Sequence, residues 1–437
     1  MRTTPFLGLT LALLIGSTAS AFAGTETMLY SFQGGSDGAG PTSGLIADAS
    51  GNLYGTTPYG GDLSCSPPGG GAGCGVVYEL TPTNSGYVES VLYAFHGGTK
   101  DGAVPFGGLV MDGSGDLFGT TYTGGASPCV GEGGCGTVFE LKPGGPTGYT
   151  ESIPYFFQGA GDGAHPSAQL TLDGTGTLYG TTDLGAGTCG GNADECSAAF
   201  ALTPGNSGYT ESVIGVFGIS GVALGLSSSS LFSGNSGALY GTAYGAEVNP
   251  PFGSIVFELQ PSNQGYANVQ LAQSSGDNQF VGGVVGDNGG SLYGERYLGG
   301  KGCAHVGGCG TIYRISPAGT LASIYDFHGI AKNASSGDGS RPAGGLLLGP
   351  GNVLYGTTIA GGRAGCELIK GSTGCGTVFA LTPHGAKFTE KILYSFASSG
   401  GDGTFPKSSL IIDQNGALYG TTNAGGNGYG TVFKIVP

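Results

Sequence analysis

The sequence has 437 residues with 95 Gly and 22 Pro, and only 10% of its residues are charged, for a formal net charge of −15. The 14 Lys and Arg residues form no cluster that could neutralise phosphates, which excludes nucleic acid and an anionic membrane surface as partners. Glycine does not recur at every third position, and 22 Tyr and 21 Phe can build a core, so neither collagen nor general disorder fits.

Residues 1–23 have the pattern of a secretory signal peptide. Arg2 precedes an apolar run over residues 6–16, and an Ala-x-Ala cleavage site ends at Ala23, so we expect the mature chain to begin at Gly24. The apolar run is too short to span a membrane, and no later stretch of 18 apolar residues occurs in the sequence. We therefore expect a secreted or periplasmic protein, with no membrane span after signal removal and no C-terminal anchor.

A repeated motif dominates the rest of the chain. Leu-Tyr-Gly-Thr-Thr and its variants occur seven times, at intervals of 53 to 64 residues. The copies begin at Leu53, Leu117, Leu178, Leu239, Leu292, Leu354 and Leu418. Each copy lies between a Pro-x-x-Gly-Leu-x-x-Asp segment and a Gly-Thr-Val-Phe-x-Leu-x-Pro segment, and a Leu-Tyr-x-Phe segment with Asp-Gly-x-x-Pro then leads to the next copy. These four short segments are rich in β-branched and aromatic residues, so they predict four strands per repeat, named A to D in chain order, and essentially no helix.

Seven repeats of four antiparallel strands predict an all-β fold, a seven-bladed β-propeller in which residues 24–437 form a single domain. A lone D-type strand at residues 26–32 comes first, and a C-type strand at 430–436 comes last. We expect these two strands to pair, which completes the last blade and removes an exposed edge. The alternative is a β-solenoid, whose repeats are shorter, at roughly 20–30 residues. We expect a monomer.

The ten cysteines fall into five pairs, each between the B and C strands of one repeat. The pairs are Cys65/Cys74, Cys129/Cys135, Cys189/Cys196, Cys303/Cys309 and Cys366/Cys375. This arrangement predicts five local disulfides formed in an oxidising compartment. A zinc site is the alternative, but the spacing within the pairs differs from the C-x₂₋₄-C spacing of zinc ligands. We expect no metal, and no cysteine is left over as a nucleophile.

The complete frame, from Pro-x-x-Gly-Leu to Asp-Gly-x-x-Pro, resembles the GloVer-type tandem repeat of exported bacterial proteins, which is often attached to a cell-surface sorting tail. The resemblance covers nearly all of residues 26–437 and is poorest in repeats four and five. It implies export to the cell envelope or beyond and a repetitive β architecture, and it implies no catalytic residues. No sorting tail is recognisable here. The A and B strands are also loosely similar to NHL propeller repeats, which bears on the fold alone.

The A strands should line the axis of the propeller, and they contain no Glu, His, Lys or Arg. We therefore expect no catalytic residue, metal or cofactor along them. The Asp turn between A and B strands, such as residues 112–116, resembles the start of a calcium loop but lacks the later bidentate acid, which favours an ordinary Asx turn.

The B–C loops and the D–A loops should share one face of the propeller, which we call the loop face. Its recurring acids are candidate ligand-binding residues: Asp37, Asp101, Asp162, Asp338 and Asp402. A turn-capping role explains the same acids. Glu295 and Arg296 are two further candidate binding residues, because repeat five departs from the others there: Glu295-Arg296 replaces Thr-Thr, with Lys301 and His305 close in sequence. Repeat decay or a surface salt bridge would also explain that change.

These observations support three hypotheses about function. The first is a secreted, non-catalytic repeat protein that binds a glycan or a protein partner through its loop face. The alternative is an extracellular glycan-active hydrolase or lyase with a site on the loop face near blade five. The third is a structural component of the cell envelope.

Overall fold

In a computed structural model the chain is an all-β seven-bladed propeller of antiparallel four-stranded blades, as predicted. The structure describes residues 24–67, 70–126, 129, 133–145, 148–159, 161–187, 196–219, 222–225, 229–245, 253–263, 265–275, 279–303, 307–331, 334–369, 372–385 and 387–437. The expected signal peptide, residues 1–23, lies outside these ranges.

The four strand types recur in every blade. The A strands are Ile46–Ala47, Val110–Met111, Thr171–Leu172, Phe232–Ser233, Phe280–Gly286, Leu347–Leu348 and Ile411–Ile412. The B strands are Leu53–Thr57, Leu117–Thr121, Leu178–Thr182, Leu239–Gly245, Leu292–Arg296, Leu354–Arg363 and Leu418–Gly425. The C strands are Val76–Thr83, Thr137–Gly145, Ser197–Gly205, Gly253–Ser262, Thr311–Ile315, Thr377–His384 and Thr431–Val436. The D strands are Gly86–Ala94, Gly148–Phe156, Gly208–Ile219, Gly265–Ser275, Leu321–Asp326, Lys387–Ser395 and Thr25–Ser31.

A few short elements lie outside the four strands of each blade. Val222–Gly225 pairs with the D strand of blade three and with the B strand of blade four, which joins the two sheets. The other additional strands are Gly102–Ala103, Thr123–Gly124, Ser336–Pro342, Glu367–Ile369, Ser372–Thr373 and Gly403–Pro406. Two 3₁₀ turns, Asn235–Gly237 and Pro350–Asn352, are the helical segments within the described ranges.

The glycine of the repeated motif is explained by the core. The aromatic side chain of the facing C strand lies directly over it, so a Cβ on Gly119 would come within 2.5 Å of the Phe139 ring. The same contact recurs in every blade. The pairs are Gly55–Tyr78, Gly119–Phe139, Gly180–Phe200, Gly241–Phe257, Gly294–Tyr313, Gly356–Phe379 and Gly420–Phe433. Since no side chain larger than hydrogen fits there, the motif must contain Gly at this position.

Each of these C-strand rings also packs against a phenylalanine that precedes its strand in the chain. The pairs are Phe32–Tyr78, Phe95–Phe139, Phe157–Phe200, Phe217–Phe257, Phe280–Tyr313, Phe327–Phe379 and Phe396–Phe433, with ring centroids 4.2–5.2 Å apart. Six of the phenylalanines lie at or just after the end of a D strand, and Phe280 begins the A strand of blade five. Six of these buried aromatic pairs hold neighbouring blades together, whereas Phe280 and Tyr313 both belong to blade five.

The ring closes as the sequence predicts. Thr25–Ser31 pairs antiparallel with Thr431–Val436, with Thr25 opposite Val436. The seventh blade therefore takes its D strand from the beginning of the described chain.

A second set of contacts between blades comes from the first Thr of the motif. Its hydroxyl donates to a backbone carbonyl next to the A strand of the following blade, at 2.9–3.2 Å. The bonds are Thr56 to Gly107, Thr120 to Ala168, Thr357 to Ser408 and Thr421 to Ser43. The last one joins blade seven to blade one, so the side-chain contacts close the ring at the same point as the strands.

The disulfide prediction is confirmed for four of the five pairs. Each bond joins residues only six to nine positions apart, so it fixes one B–C loop rather than linking blades. The four bonds are Cys65–Cys74, Cys129–Cys135, Cys303–Cys309 and Cys366–Cys375.

The fifth predicted pair, Cys189/Cys196, is described at one end only. Cys196 is buried, directly before the C strand of blade three, and its sulfur is in a disulfide. Its expected partner, Cys189, lies outside the described residues. The Cys189–Cys196 bond therefore stays a prediction, whereas the oxidised state of Cys196 agrees with it.

The hydrogen bond that closes the ring can be tested with a matched pair of variants. Thr421→Val should lower the free energy of unfolding by about 1–3 kcal/mol, because the buried Ser43 carbonyl loses its donor. Thr242 occupies the same motif position, and its buried hydroxyl has no hydrogen-bond partner among the residues that the structure describes. Thr242→Val should therefore be neutral or slightly stabilising. Denaturant unfolding of both variants checks this, and equal losses would contradict the assignment.

Candidate ligand-binding site

The predicted Asp residues of the loop face close the turn between one D strand and the next A strand. The carboxylate of Asp101 accepts hydrogen bonds from the Tyr93 hydroxyl at 3.1 Å, from the His96 backbone N–H at 2.7 Å and from the Gly102 N–H at 2.6 Å. The other four accept a Tyr hydroxyl in the same way. The pairs are Tyr30–Asp37, Tyr155–Asp162, Tyr325–Asp338 and Tyr394–Asp402. These bonds account for the repeated Asp as a turn cap, and a ligand-binding role stays a prediction.

Each of these acids also lies near a Glu in the D strand of the blade that its loop leads into. Burial, and next the negative charge of the Asp, raise the pKa of each Glu to about 7. The pairs are Asp37–Glu89, Asp101–Glu151, Asp162–Glu211, Asp338–Glu390 and Asp402–Glu26. Each Asp therefore contacts the Tyr of one blade and faces the Glu of the next, which places the acids between blades.

Removing one of these turn caps should destabilise the fold. Asp101→Ala should lower the free energy of unfolding by at least about 1.5–3 kcal/mol, since a largely buried carboxylate with three donors is lost. Asp37→Ala should cost less, because Asp37 and the donor Gln33 are more exposed. Thermal unfolding of both variants measures the difference, and an unchanged melting temperature for Asp101→Ala would refute the capping role.

The Asp residues of the A–B hairpins form Asx turns. Asp112 Oδ1 accepts the backbone N–H groups of Ser114 at 2.8 Å and Asp116 at 2.9 Å. Four hairpin acids also accept the hydroxyl of the motif tyrosine. These pairs are Tyr54–Asp48, Tyr179–Asp173, Tyr293–Asp287 and Tyr419–Asp413. Backbone and tyrosine donors thus satisfy these carboxylates on the face opposite the loops.

A cavity of about 580 Å³ lies on the axis and is bordered by residues from all seven blades. Its lining comes mainly from residues in or just before the A strands, such as Gly107, Gln169 and Val284. Further lining residues directly follow the Pro of Asp-Gly-x-x-Pro, such as Phe106, or directly follow the Thr pair of the motif, such as Tyr122. Both positions lie at the end of the blade that bears the D–A and B–C loops. The cavity therefore belongs to the loop face, and its volume lies within the range of small-molecule sites, about 300–1,000 Å³.

The lining is aromatic and polar on the side of blades two and three. Phe106 packs edge-on against Tyr122, with ring centroids 5.5 Å apart, and both rings are half-buried. The buried His165 ring lies against Tyr122 at 4.7 Å. Across the ring, in blades five and six, the lining is mainly apolar, with Val281, Val284, Leu346 and Ile359. The cavity thus has one polar aromatic wall and one apolar wall.

Asp183 supplies a carboxyl group to the polar wall. Its Oδ1 accepts a hydrogen bond from the Ser167 hydroxyl at 3.0 Å, which holds the side chain in place. Burial raises the pKa of Asp183 to about 7, so the group can both donate and accept hydrogen bonds near neutral pH. Lys407 adds an exposed cation to the lining.

A second cavity of about 520 Å³ lies further along the axis and is mainly apolar, with Ile46, Val110 and Leu172 in its lining. Gln169 and Ser230 border both cavities, so they mark the constriction between them. The Gln169 amide donates to the Leu109 carbonyl of blade two at 2.7 Å, which fixes it at this constriction.

The residue before the Pro of Asp-Gly-x-x-Pro has a left-handed backbone even where it is not glycine. Val104, His165, Arg341 and Phe405 have φ between 58° and 61°. In each case the N–H donates to a Cys carbonyl of the preceding blade, at 2.7–2.9 Å. Left-handed β-branched and bulky residues are strained, so this bond between blades must hold them. The conformation also carries the side chains of His165 and Arg341 onto the lining rings of Tyr122 and Tyr297.

The structure does not bring Glu295 and Arg296 together. They are consecutive residues of a B strand, so their side chains point to opposite faces of the sheet, and they form no ion pair. Glu295 is fully buried, and its Oε2 accepts the Gly345 N–H of blade six at 3.0 Å. The Arg296 guanidinium lies over the Phe280 ring, 4.9 Å from its centroid. His305 lies outside the described residues, and the proposed binding role of this pair stays a prediction.

Glu295 occupies the position at which most repeats have the Thr that bonds to the next blade. Its Oε1 has no hydrogen-bond partner within the described part of the chain, and burial raises the pKa of its carboxyl to about 8. Gly282 and Gly345, which contact this carboxyl group, line the axial cavity. Glu295 therefore contacts two glycines of the cavity wall on the side that faces away from the cavity.

This raised pKa predicts a pH-dependent contribution to stability. The folded form binds the Glu295 proton more tightly than the unfolded form, whose pKa is near 4.5. The contribution is therefore full below pH 4.5 and is lost as the pH rises through about 8. Glu295→Gln removes the titration and keeps an acceptor for Gly345. Between pH 5 and about 8 the stability of the wild-type protein should fall more steeply than that of the variant. Parallel slopes in denaturant titrations would contradict this.

Metal ligands and membrane-spanning helices bear on the class of site. Within the described ranges, no group of three or more His, Cys, Asp or Glu side chains is arranged to hold a metal ion. The same part of the chain contains no helix long and apolar enough to cross a membrane.

The expectation that the A strands line the axis is confirmed, because most of the cavity lining lies in or just before them. Sequence reasoning missed the lining residues outside those segments, such as Phe106, Tyr122 and Asp183, which lie at positions that differ from repeat to repeat. The position after the Thr pair is one such signal, since Tyr122, Asp183, Tyr297 and Ile359 occupy it in four of the blades and line the cavity.

The fold and the repeated junctions between blades define a β-propeller built from one tandem repeat, stabilised by local disulfides. The chain belongs to the Gloeobacter/Verrucomicrobia repeat family, whose model matches residues 129–369 and 227–437. The resemblance deduced from the sequence is thereby confirmed.

Solved structures of similar fold are distant in sequence. A Bacteroides uniformis protein with a provisional 6-phosphogluconolactonase assignment is 14% identical, with 84% of this chain and 88% of that chain covered and a TM-score of 0.48. Trypanosoma rangeli sialidase is 10% identical, with 82% and 57% covered and a TM-score of 0.43. A Dyadobacter fermentans protein of unknown function is 11% identical, with 94% and 98% covered and a TM-score of 0.43. These likenesses carry no argument about function. No curated protein matches the sequence.

Proposed function

We propose that this protein is a secreted or periplasmic, non-catalytic glycan-binding propeller whose site is the axial cavity of the loop face. The observation that carries the proposal is a contrast within the repeat. The glycines and aromatic residues that build the blades recur from repeat to repeat, whereas several side chains that line the cavity do not: Phe106, Ser167 and Lys407 follow the loop Pro, and Tyr122, Asp183 and Ile359 follow the Thr pair. A ligand in the cavity would therefore meet a different group from each of these blades, which suits recognition of an asymmetric molecule.

The chemistry of the lining fits a sugar ring. A pyranose has apolar C–H faces and a polar edge of hydroxyl groups. Phe106 and Tyr297 offer aromatic surface to the faces, while Asp183 and Gln279 offer hydrogen-bonding groups to the edge. Small residues such as Gly107 and Gly344 leave room at the start of the A strands.

The carboxyl groups favour binding over hydrolysis. Among the described residues that line the cavity, Asp183 is the one carboxyl group. Glycoside hydrolysis generally uses two carboxyls on opposite sides of the scissile bond. The signal-peptide pattern of residues 1–23 and the four disulfides support a location outside the cytoplasm.

The proposal predicts saturable binding to a neutral polysaccharide without cleavage. The oxidised protein would be titrated with dextran, laminarin, xylan, mannan and maltodextrin, and binding and new reducing ends would be measured in the same samples. Phe106→Ala should weaken binding by about tenfold, equivalent to 1.4 kcal/mol of lost contact with the ligand.

Tyr429→Ala is the matched control, because Tyr429 is an exposed aromatic residue of blade seven that does not line the cavity. It should bind like the wild type. New reducing ends would replace the proposal with the hydrolase alternative. Absence of binding to every polysaccharide, or an equal loss in both variants, would refute the axial glycan site.

A further inference from the structure

The axial cavity has the shape of a well. Seven blades surround it, and the pairing of Thr25–Ser31 with Thr431–Val436 leaves no gap between the last blade and the first. Its inner end is at Gln169 and Ser230, the two residues that border both cavities. A ligand that enters from the loop face meets these residues before it can pass further along the axis.

A well of this kind restricts which part of a polymer can enter. An internal sugar unit continues into the chain on both sides, and both continuations would have to leave through the same opening. A terminal unit has one continuation, which can pass straight out to solvent. We propose that the cavity binds the terminal residue of a neutral glycan chain; this inference rests on the proposed glycan-binding function.

The charges at the cavity favour an uncharged terminal sugar. Asp183 lies in the polar wall and is already bonded to Ser167, while Lys407 is exposed to solvent. Arg341 is buried behind the lining ring of Tyr297, 5.0 Å from its centroid. Acidic and basic groups thus occur together, and an ionised sugar would lose solvation on entry without a dedicated partner of opposite charge.

The contacts that fix the lining side chains suggest which residues recognise the terminal sugar unit. Tyr122 is fixed between Phe106 and His165, and the Gln169 amide is fixed by the Leu109 carbonyl. Rigid aromatic and amide groups reduce the entropy lost on binding, which suits recognition of one ring in one orientation.

The test asks whether the amount of bound protein follows the number of glycan chain ends or the total mass of glycan. The polysaccharide that binds best in the panel would be cut into fractions of decreasing length, and the amount of protein bound at saturation would be measured at equal sugar mass. Binding capacity should rise in proportion to the number of chain ends. Maltodextrin and the cyclic maltodextrins provide a second comparison, because the cyclic forms have the same units and no ends.

Capacity that follows sugar mass, or cyclic maltodextrin that binds as tightly as the linear form, would overturn terminal recognition and leave the glycan-binding function intact. No binding to any member of the panel would overturn both. Phe106→Ala should reduce end-dependent binding by about tenfold, whereas Tyr429→Ala should not change it.

Discussion

An aromatic ring lying over a glycine is the contact on which each blade of this propeller depends. The ring belongs to the C strand and the glycine to the B strand, and in six of the seven blades a phenylalanine from the preceding blade packs against the ring. One side chain thereby sets the spacing of two strands within a blade and the spacing between two blades. Its position explains why the Leu-Tyr-Gly-Thr-Thr motif tolerates Phe for Tyr at Phe118 and loses a Thr at Ala243, yet keeps its glycine in all seven copies.

The polar contacts between blades follow from that packing. Once two blades are held at this spacing, the first Thr of the motif reaches the next A strand, and the residue before the loop Pro reaches a Cys carbonyl. The strained left-handed conformation of Val104 is acceptable because the interface on both sides of it is already fixed. The short disulfides then hold the B–C loops that provide those carbonyls.

The repeat pattern was sufficient to predict the strands, the blade number, the closure by the first strand and four of the cysteine pairs, since all of these recur at fixed spacing. The same pattern placed the A strands on the axis, but it did not predict the lining residues beside them, because Asp183 and Phe106 follow no repeat pattern and are brought together only by the closed ring. Glu295 and Arg296 were grouped because they are adjacent in sequence. The alternation of side chains along a strand already placed them on opposite faces. Their roles as a buried contact and an aromatic-stacked cation needed the three-dimensional neighbours.

The Asp–Glu pairs between blades have a consequence for the charge of the folded molecule. Burial raises the pKa of the Glu of each of the five pairs and of Asp183 to about 7, and that of Glu295 to about 8. These groups therefore retain part of their protons at a pH at which ordinary carboxyl groups have released them. The folded protein therefore migrates in an electric field as a less acidic molecule than its formal charge of −15 indicates, and its unfolding at pH 7 releases protons into the buffer.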